Sequence, residues 1–189
     1  MFLIAGLGNA EQKYSQTRHN AGFWFLDELL KEAGTRLRLQ TRLSARVCRT
    51  RLFGVDCILV KPATFMNHSG QAVRAVMDYY QLEPHRLLVA YDELDLPPGT
   101  ARLKQGGGHG GHNGLRDIFN HLDTTDFQRL RIGIGHPGHK DAVTGYVLSR
   151  PTADQQLAIM QSITAAMSVL PDLLTDHWSR AVKTLHTED

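Results

Sequence analysis

The sequence predicts an α/β fold: a single domain, residues 1–189, with a mixed, largely parallel twisted sheet flanked by helices in three α/β/α layers. Three observations carry this. Short continuous apolar runs at residues 2–5 and 87–91 read as strands buried on both faces. Amphipathic segments at helical spacing alternate with them, which is the rhythm of βαβ units. A chain of 189 residues, 42% hydrophobic, suits one core rather than two.

In chain order, residues 2–5 form the first strand, stopped at Gly6. A polar loop leads to residues 21–34, an amphipathic helix closed by Gly34. Residues 36–40, 45–51 and 56–60 are rich in alternating or β-branched side chains, and the last two, joined through Phe53-Gly54, predict a hairpin that Pro62 closes. Residues 69–80 carry helical spacing through Ala72, Val73, Val76, Met77 and Tyr80, and residues 87–91 return to a buried strand ending at Asp92. A short strand is expected at 101–104, a helix at 115–122, and a strand at 127–135 whose outward positions carry Arg129 and Arg131. From Thr152 onward the pattern is helical, interrupted at Pro171. Trp24 and Trp178 are expected to pack in or against the core.

Composition excludes several classes. The longest apolar stretches fall well short of the roughly 20 residues of a membrane span, and no basic segment precedes them as in a secretory signal, so a cytoplasmic protein away from membranes is expected. Cys48 and Cys57 lie on consecutive strands where they could face each other; as reduced thiols they make neither a zinc site nor a disulfide framework. Net charge is only +2, so nucleic-acid affinity needs a local basic patch, and an even spread of charge favours a monomer.

Four residues fall where strands give way to helices: Asn9 after Gly6-Leu7-Gly8, His19 in Thr17-Arg18-His19-Asn20, Asn67 in Thr64-Phe65-Met66-Asn67, and Asn113 in Gly110-Gly111-His112-Asn113-Gly114. In open α/β sheets the crevice beyond the strand carboxyl ends is where ligands bind. One imidazole ringed by neutral amides points to hydrolysis of a carbonyl compound. His19 is distinguished among ten histidines by its polar loop next to the first strand's carboxyl end, and Asp92, with Glu93 and Asp95 nearby, is the carboxylate placed to orient it. His68, His121 and His177 fall in helix or helix-start segments, where a surface role is expected. No serine or cysteine sits in a nucleophile elbow, which favours direct attack by water over a covalent intermediate.

The glycine-rich run at residues 106–111 lacks the lysine and hydroxyl of a Walker motif, and Gly6-Leu7-Gly8-Asn9 lacks the third glycine of a dinucleotide fingerprint. The run is open to two readings, a flexible surface loop or a segment that lets a bulky polar ligand approach the backbone. No cofactor is expected. His109 and His112 leave a metal-dependent hydrolase as an alternative, although no third ligand stands at an obvious spacing.

Taken together, Gly6-Leu7-Gly8-Asn9, Tyr14, residues 17–23, residues 61–70, Asp92-Glu93-Leu94-Asp95-Leu96-Pro97-Pro98-Gly99, residues 106–117 and residues 129–137 resemble the bacterial peptidyl-tRNA hydrolases, in order and over nearly the whole chain. One departure is visible: Ala10-Glu11 follows Asn9 where the family usually has Pro-Gly. The resemblance implies cleavage of the ester between a peptide and the terminal ribose of tRNA. It also implies roles: His19 as the base that deprotonates water, Asp92 as its orienting acid, and Asn9 as the contact to the peptide beside the ester. Asn67 and Asn113 would position substrate and water, Tyr14 and Phe65 would line the cleft, and Lys104 with Arg131 would grip phosphate, with Arg102, Arg116 and Lys140 as candidate extensions of that patch. A monomer is again implied. A non-catalytic RNA-binding protein of the same fold is the competing reading, against which stand the intact His19, Asp92 and three asparagines.

Overall fold

The computed structural model describes residues 1–187. The chain runs β1 (Phe2–Gly6), α1 (Ala21–Glu32), β2 (Arg38–Gln40), β3 (Ala45–Leu52), β4 (Val55–Pro62), α2 (Ser69–Tyr80), β5 (Leu87–Glu93), β6 (Ala101–Gln105), α3 (Asn113–Leu122), β7 (Gln128–Gly133), α4 (Val143–Val147), α5 (Ala153–Ser168), α6 (Leu170–Leu174) and α7 (Trp178–His186). The strands form one sheet in the order β2-β3-β4-β1-β5-β7-β6. Its centre is parallel, β4 with β1, β1 with β5 and β5 with β7, and its edges are antiparallel.

Each face of the sheet carries its own apolar layer. Phe2, Ile4, Leu88, Ala90 and Leu130 pack under α1, α5, α6 and α7, while Leu3, Ala5, Val60, Val89 and Tyr91 pack under α2 and α3. The central strands are therefore apolar on both sides, which is why they appear as unbroken runs in the sequence. Among the described residues, no helix is long and apolar enough to cross a membrane.

Several expectations change in detail. β2 begins at Arg38 rather than residue 36; it is an edge strand with a single neighbour and three exposed residues. β7 stops at Gly133, because Ile134 and Gly135 turn away to donate their backbone N–H groups to Glu93 and Leu96. Arg129, expected to point outward, is 1% exposed. Its Nη1 donates to the Gly108 carbonyl at 2.9 Å, so the glycine-rich segment closes over it. Cys48 stands opposite Leu59 and Cys57 opposite Thr50, so the two thiols do not face each other, and both are free. α4, only five residues long, has no sequence signature of its own.

The order β4-β1-β5 places consecutive connections on opposite faces, and this opens a crevice at the strand carboxyl ends. Two glycines bring α1 to its lip. A Cβ on Gly22 would lie 2.3 Å from the Ala90 carbonyl and 2.6 Å from the Leu7 nitrogen, and one on Gly6 would lie 2.3 Å from the Gly22 carbonyl. Backbone thus meets backbone, and the turn just ahead of α1, Arg18–Asn20, is seated against the end of β5. Gly22→Ala is expected to destabilise the protein by about 2–3 kcal/mol through overpacking against main chain that cannot retreat. Urea unfolding with an unchanged midpoint would contradict this packing.

Candidate active site

A cleft of about 620 Å³ opens at the carboxyl ends of β1, β4 and β5. Asn9, Tyr14, His19, Phe65, Asn67, Asp92 and Asn113 all line it, so seven of the nine residues singled out from the sequence converge on one cavity. Its volume suits the end of a larger substrate. Lys104 and Arg131 lie outside the lining, on β6 and β7.

Asp92 is the centre of the site. It is 3% exposed, and both oxygens are taken by imidazoles: His19 Nδ1 lies 2.8 Å from Oδ2, and His112 Nε2 lies 2.8 Å from Oδ1. Burial by itself would raise the carboxyl's pKa, but the two imidazoles outweigh it and hold Asp92 well below the usual carboxylate range. For His19, burial disfavours the charged ring and Asp92 favours it, with a net rise above the ordinary 6.5.

The proton positions follow from the neighbours. His112 caps α3, where its Nδ1 accepts the Leu115 backbone N–H at 3.3 Å, so the neutral ring carries its proton on Nε2 and donates it to Asp92. His19 donates through Nδ1, which leaves its Nε2 lone pair free. A carboxylate held by two donors is fixed in orientation, and the ring with the uncommitted nitrogen is the one able to accept a proton from a neighbouring group.

His19, Asp92 and His112 are also a trio whose donor atoms lie within 4.8 Å of one another, near enough to meet at a metal ion. Their arrangement is that of hydrogen bonds, and the Leu115 N–H turns a proton, not a lone pair, from His112 toward Asp92. His109, weighed with His112 as a possible metal ligand, does not belong to this trio; its Nδ1 accepts from the Gly111 N–H at 3.0 Å.

Asn9 is set by its own hydrogen bonds. Its backbone N–H donates to Asn20 Oδ1 at 2.8 Å, and Asn20 Nδ2 donates back to the Asn9 carbonyl at 3.1 Å. Its side-chain Oδ1 accepts the Met66 N–H at 2.8 Å. The acceptor end of the amide is therefore engaged, and Nδ2, a donor, is the end left for the cleft. The Ala10-Glu11 pair does not disturb this, because Ala10 N–H bonds the Thr64 carbonyl at 3.3 Å.

One further residue braces a wall. Arg18 is buried beside His19 and stacks on the Tyr146 ring at 3.9 Å, while donating to Ser149 Oγ at 2.6 Å and Gln155 Oε1 at 2.8 Å. It fastens the segment whose Val143, Val147 and Leu148 form an apolar wall. Arg131 is paired with Glu93 at 3.1 Å, and the register sets Lys104 opposite Arg129 and Arg102 opposite Arg131. Sequence patterns alone assign no role to Arg18 or Asn20, and for His112 they suggest only metal ligation, not a bond to Asp92. The one signal for His112 is its position immediately before α3, where a side chain is needed to cap the helix.

A family model described as peptidyl-tRNA hydrolase matches residues 3–189. The chain belongs to the peptidyl-tRNA hydrolase family. It is 54% identical to the peptidyl-tRNA hydrolase of Halorhodospira halophila over 184 residues, covering 97% of this chain and 95% of that protein. With the peptidyl-tRNA hydrolase of Coxiella burnetii it shares 48% over 185 residues, 98% of this chain and 97% of the relative. A crystal structure of peptidyl-tRNA hydrolase from Acinetobacter baumannii superposes with a TM-score of 0.96 at 44% identity, covering 99% of this chain and 95% of that one.

Replacing Asp92 by Asn leaves burial acting alone on His19, so the ring's pKa is expected to fall from above 6.5 in the parent protein to below it. Titration of the histidine proton resonances measures both; a value for His19 that does not move on substitution would show that Asp92 does not govern the ring.

Proposed function

We propose that this chain hydrolyses the ester joining a peptide, or an N-blocked aminoacyl group, to the 3′-terminal ribose of tRNA, working in the cytoplasm as a single-domain monomer without a cofactor. The observation that carries the reading is His19 with one nitrogen tied to a buried carboxylate and the other free in an amide-lined cleft.

A water on His19 Nε2 loses its proton to the ring as its oxygen bonds to the ester carbonyl carbon. The ring proton then passes to the ribose oxygen as the carbon–oxygen bond breaks, giving a free tRNA hydroxyl and a peptide carboxylic acid, which releases its proton to solvent. Asp92 keeps the ring in the basic tautomer and steadies the transient imidazolium, and His112 holds Asp92 in place. Assistance of this kind contributes about 10² to 10⁴ in rate. Because the base must be neutral, turnover rises with pH through the His19 pKa, which stands above 6.5.

Asn9 accounts for the choice of blocked substrates. The amide end facing the cleft is a donor, which suits the carbonyl of a peptide group and poorly replaces the hydration of a free ammonium, itself a donor. Asn67 and Asn113 supply further amides beside the reacting carbonyl, where a single donor to the oxyanion is worth roughly 10² to 10³ in turnover. Tyr14 and the half-exposed Phe65 offer rings for the terminal nucleotide and peptide. Lys104 and Arg131, on neighbouring strands, contact phosphate, which positions RNA without reading sequence.

His19→Ala is expected to abolish release of N-acetylamino acid from N-acetylaminoacyl-tRNA while tRNA affinity stays within about twofold, and the parent protein is expected to keep its rate in excess chelator. A His19→Ala protein retaining most of its activity would remove the general-base assignment, and chelator inhibition would favour a metal mechanism.

A further inference from the structure

The charge expected to be evenly spread is not. Of the 21 lysines and arginines, seven lie between Arg36 and Lys61, against one of the 19 acids, Asp56; the remaining chain carries 14 basic groups against 18 acidic ones. The whole positive excess thus sits on β2, β3, β4 and the turns around them, at the sheet edge opposite β6.

Arg36, Arg38, Arg42, Arg46, Arg49 and Arg51 all lie on this edge, and all six are exposed. Arg49 is paired with Asp56 at 3.3 Å; among the described residues, no carboxylate lies within ion-pair distance of Arg36, Arg38, Arg42 or Arg46. The register places Arg38, Arg49 and Arg51 on the α2 side of the sheet and Arg46, opposite Lys61, on the α1 side, so guanidinium groups wrap the edge. The edge also reaches the active site. Arg42 lies in the turn Thr41–Leu43, and the adjoining Ser44 carbonyl accepts the Ala63 N–H at 2.8 Å, at the start of the segment that carries Phe65 and Asn67 to the cleft.

Charged side chains on an edge strand discourage pairing with other chains, but one or two would suffice for that. Six arginines present forked donors that match phosphate geometry, and a molecule otherwise net acidic would be turned by this edge toward a polyanion. We propose that the β2–β4 edge is a second RNA-binding surface, which grips the phosphate backbone of the substrate tRNA on the side of the cleft away from Lys104. The proposal rests on tRNA being the substrate's carrier. β6 and β2 are separated by six inter-strand spacings, about 29 Å, a distance that a folded tRNA bridges and a short ester does not.

The test compares the parent protein with a variant carrying Arg36→Gln, Arg38→Gln, Arg42→Gln and Arg46→Gln, a second with the same four positions changed to Lys, and a control with Gln at Lys31, Arg74, Arg180 and Lys183. Dissociation constants for deacylated tRNA are measured across salt concentrations, and turnover is measured on N-acetylaminoacyl-tRNA and on an N-acetylaminoacyl ester of a CCA trinucleotide. The glutamine variant is expected to bind tRNA about tenfold more weakly, with a salt dependence shallower by on the order of one for each phosphate no longer gripped, and to cleave the trinucleotide ester at the parent rate. The lysine variant is expected to keep most of the salt dependence. Unchanged affinity and salt slope, or an equal weakening in the control, would overturn the proposal, as would a glutamine variant that aggregates while its soluble fraction binds like the parent. Failure of the hydrolase reading would show separately, as a parent protein that binds tRNA and cleaves neither ester.

Discussion

The site depends on one buried carboxylate with two imidazoles on it. Asp92 lies at the carboxyl end of β5, the strand next to the crevice, and its two oxygens take His19 from the segment before α1 and His112 from the segment before α3. These segments approach from opposite faces of the sheet. The carboxylate is therefore the point where both helical layers are tied to the strand end, and a charge that would be costly alone becomes the element that fixes proton positions on both rings. Removing one partner of such a buried pair leaves the other uncompensated.

The remaining structure serves to hold that point. Gly6 and Gly22 let α1 touch the backbone of β1 and β5, which seats the turn containing His19. Asn20 clasps the backbone of Asn9, and Asn9 in turn holds the start of the Met66 turn, so that the loops share one hydrogen-bonded seam. Arg18 fastens the apolar wall from the outside, and Arg129 anchors the glycine-rich segment that leads to His112. Polar groups here act as fasteners between loops, where apolar packing has run out.

Much of this is legible in the sequence because strands buried on both faces leave unbroken apolar runs and their carboxyl ends are marked by the first polar residues. Asn9, His19, Asn67, Asp92 and Asn113 stand out in that way, and all line the cleft. The burial of Arg129 is not legible, because alternation along β7 tells which residues share a face and not whether a loop will cover that face. The role of His112 is hidden because its partner, Asp92, is 20 residues away and its capping role shows only once α3 begins. The arginines of β2 and β3 belong to separate strands in the sequence, and only the pairing of those strands reveals their common edge.

The most direct test is the tautomer of the two histidines in the folded protein at a pH above the His19 pKa, read from the ring nitrogen shifts in a ¹⁵N-resolved NMR spectrum. The hydrogen bonds around Asp92 require the neutral His19 ring to carry its proton on Nδ1 and the His112 ring to carry its proton on Nε2. A neutral His19 ring protonated on Nε2, with Nδ1 bare toward Asp92, would leave no lone pair for water and would contradict the assignment of His19 as the base.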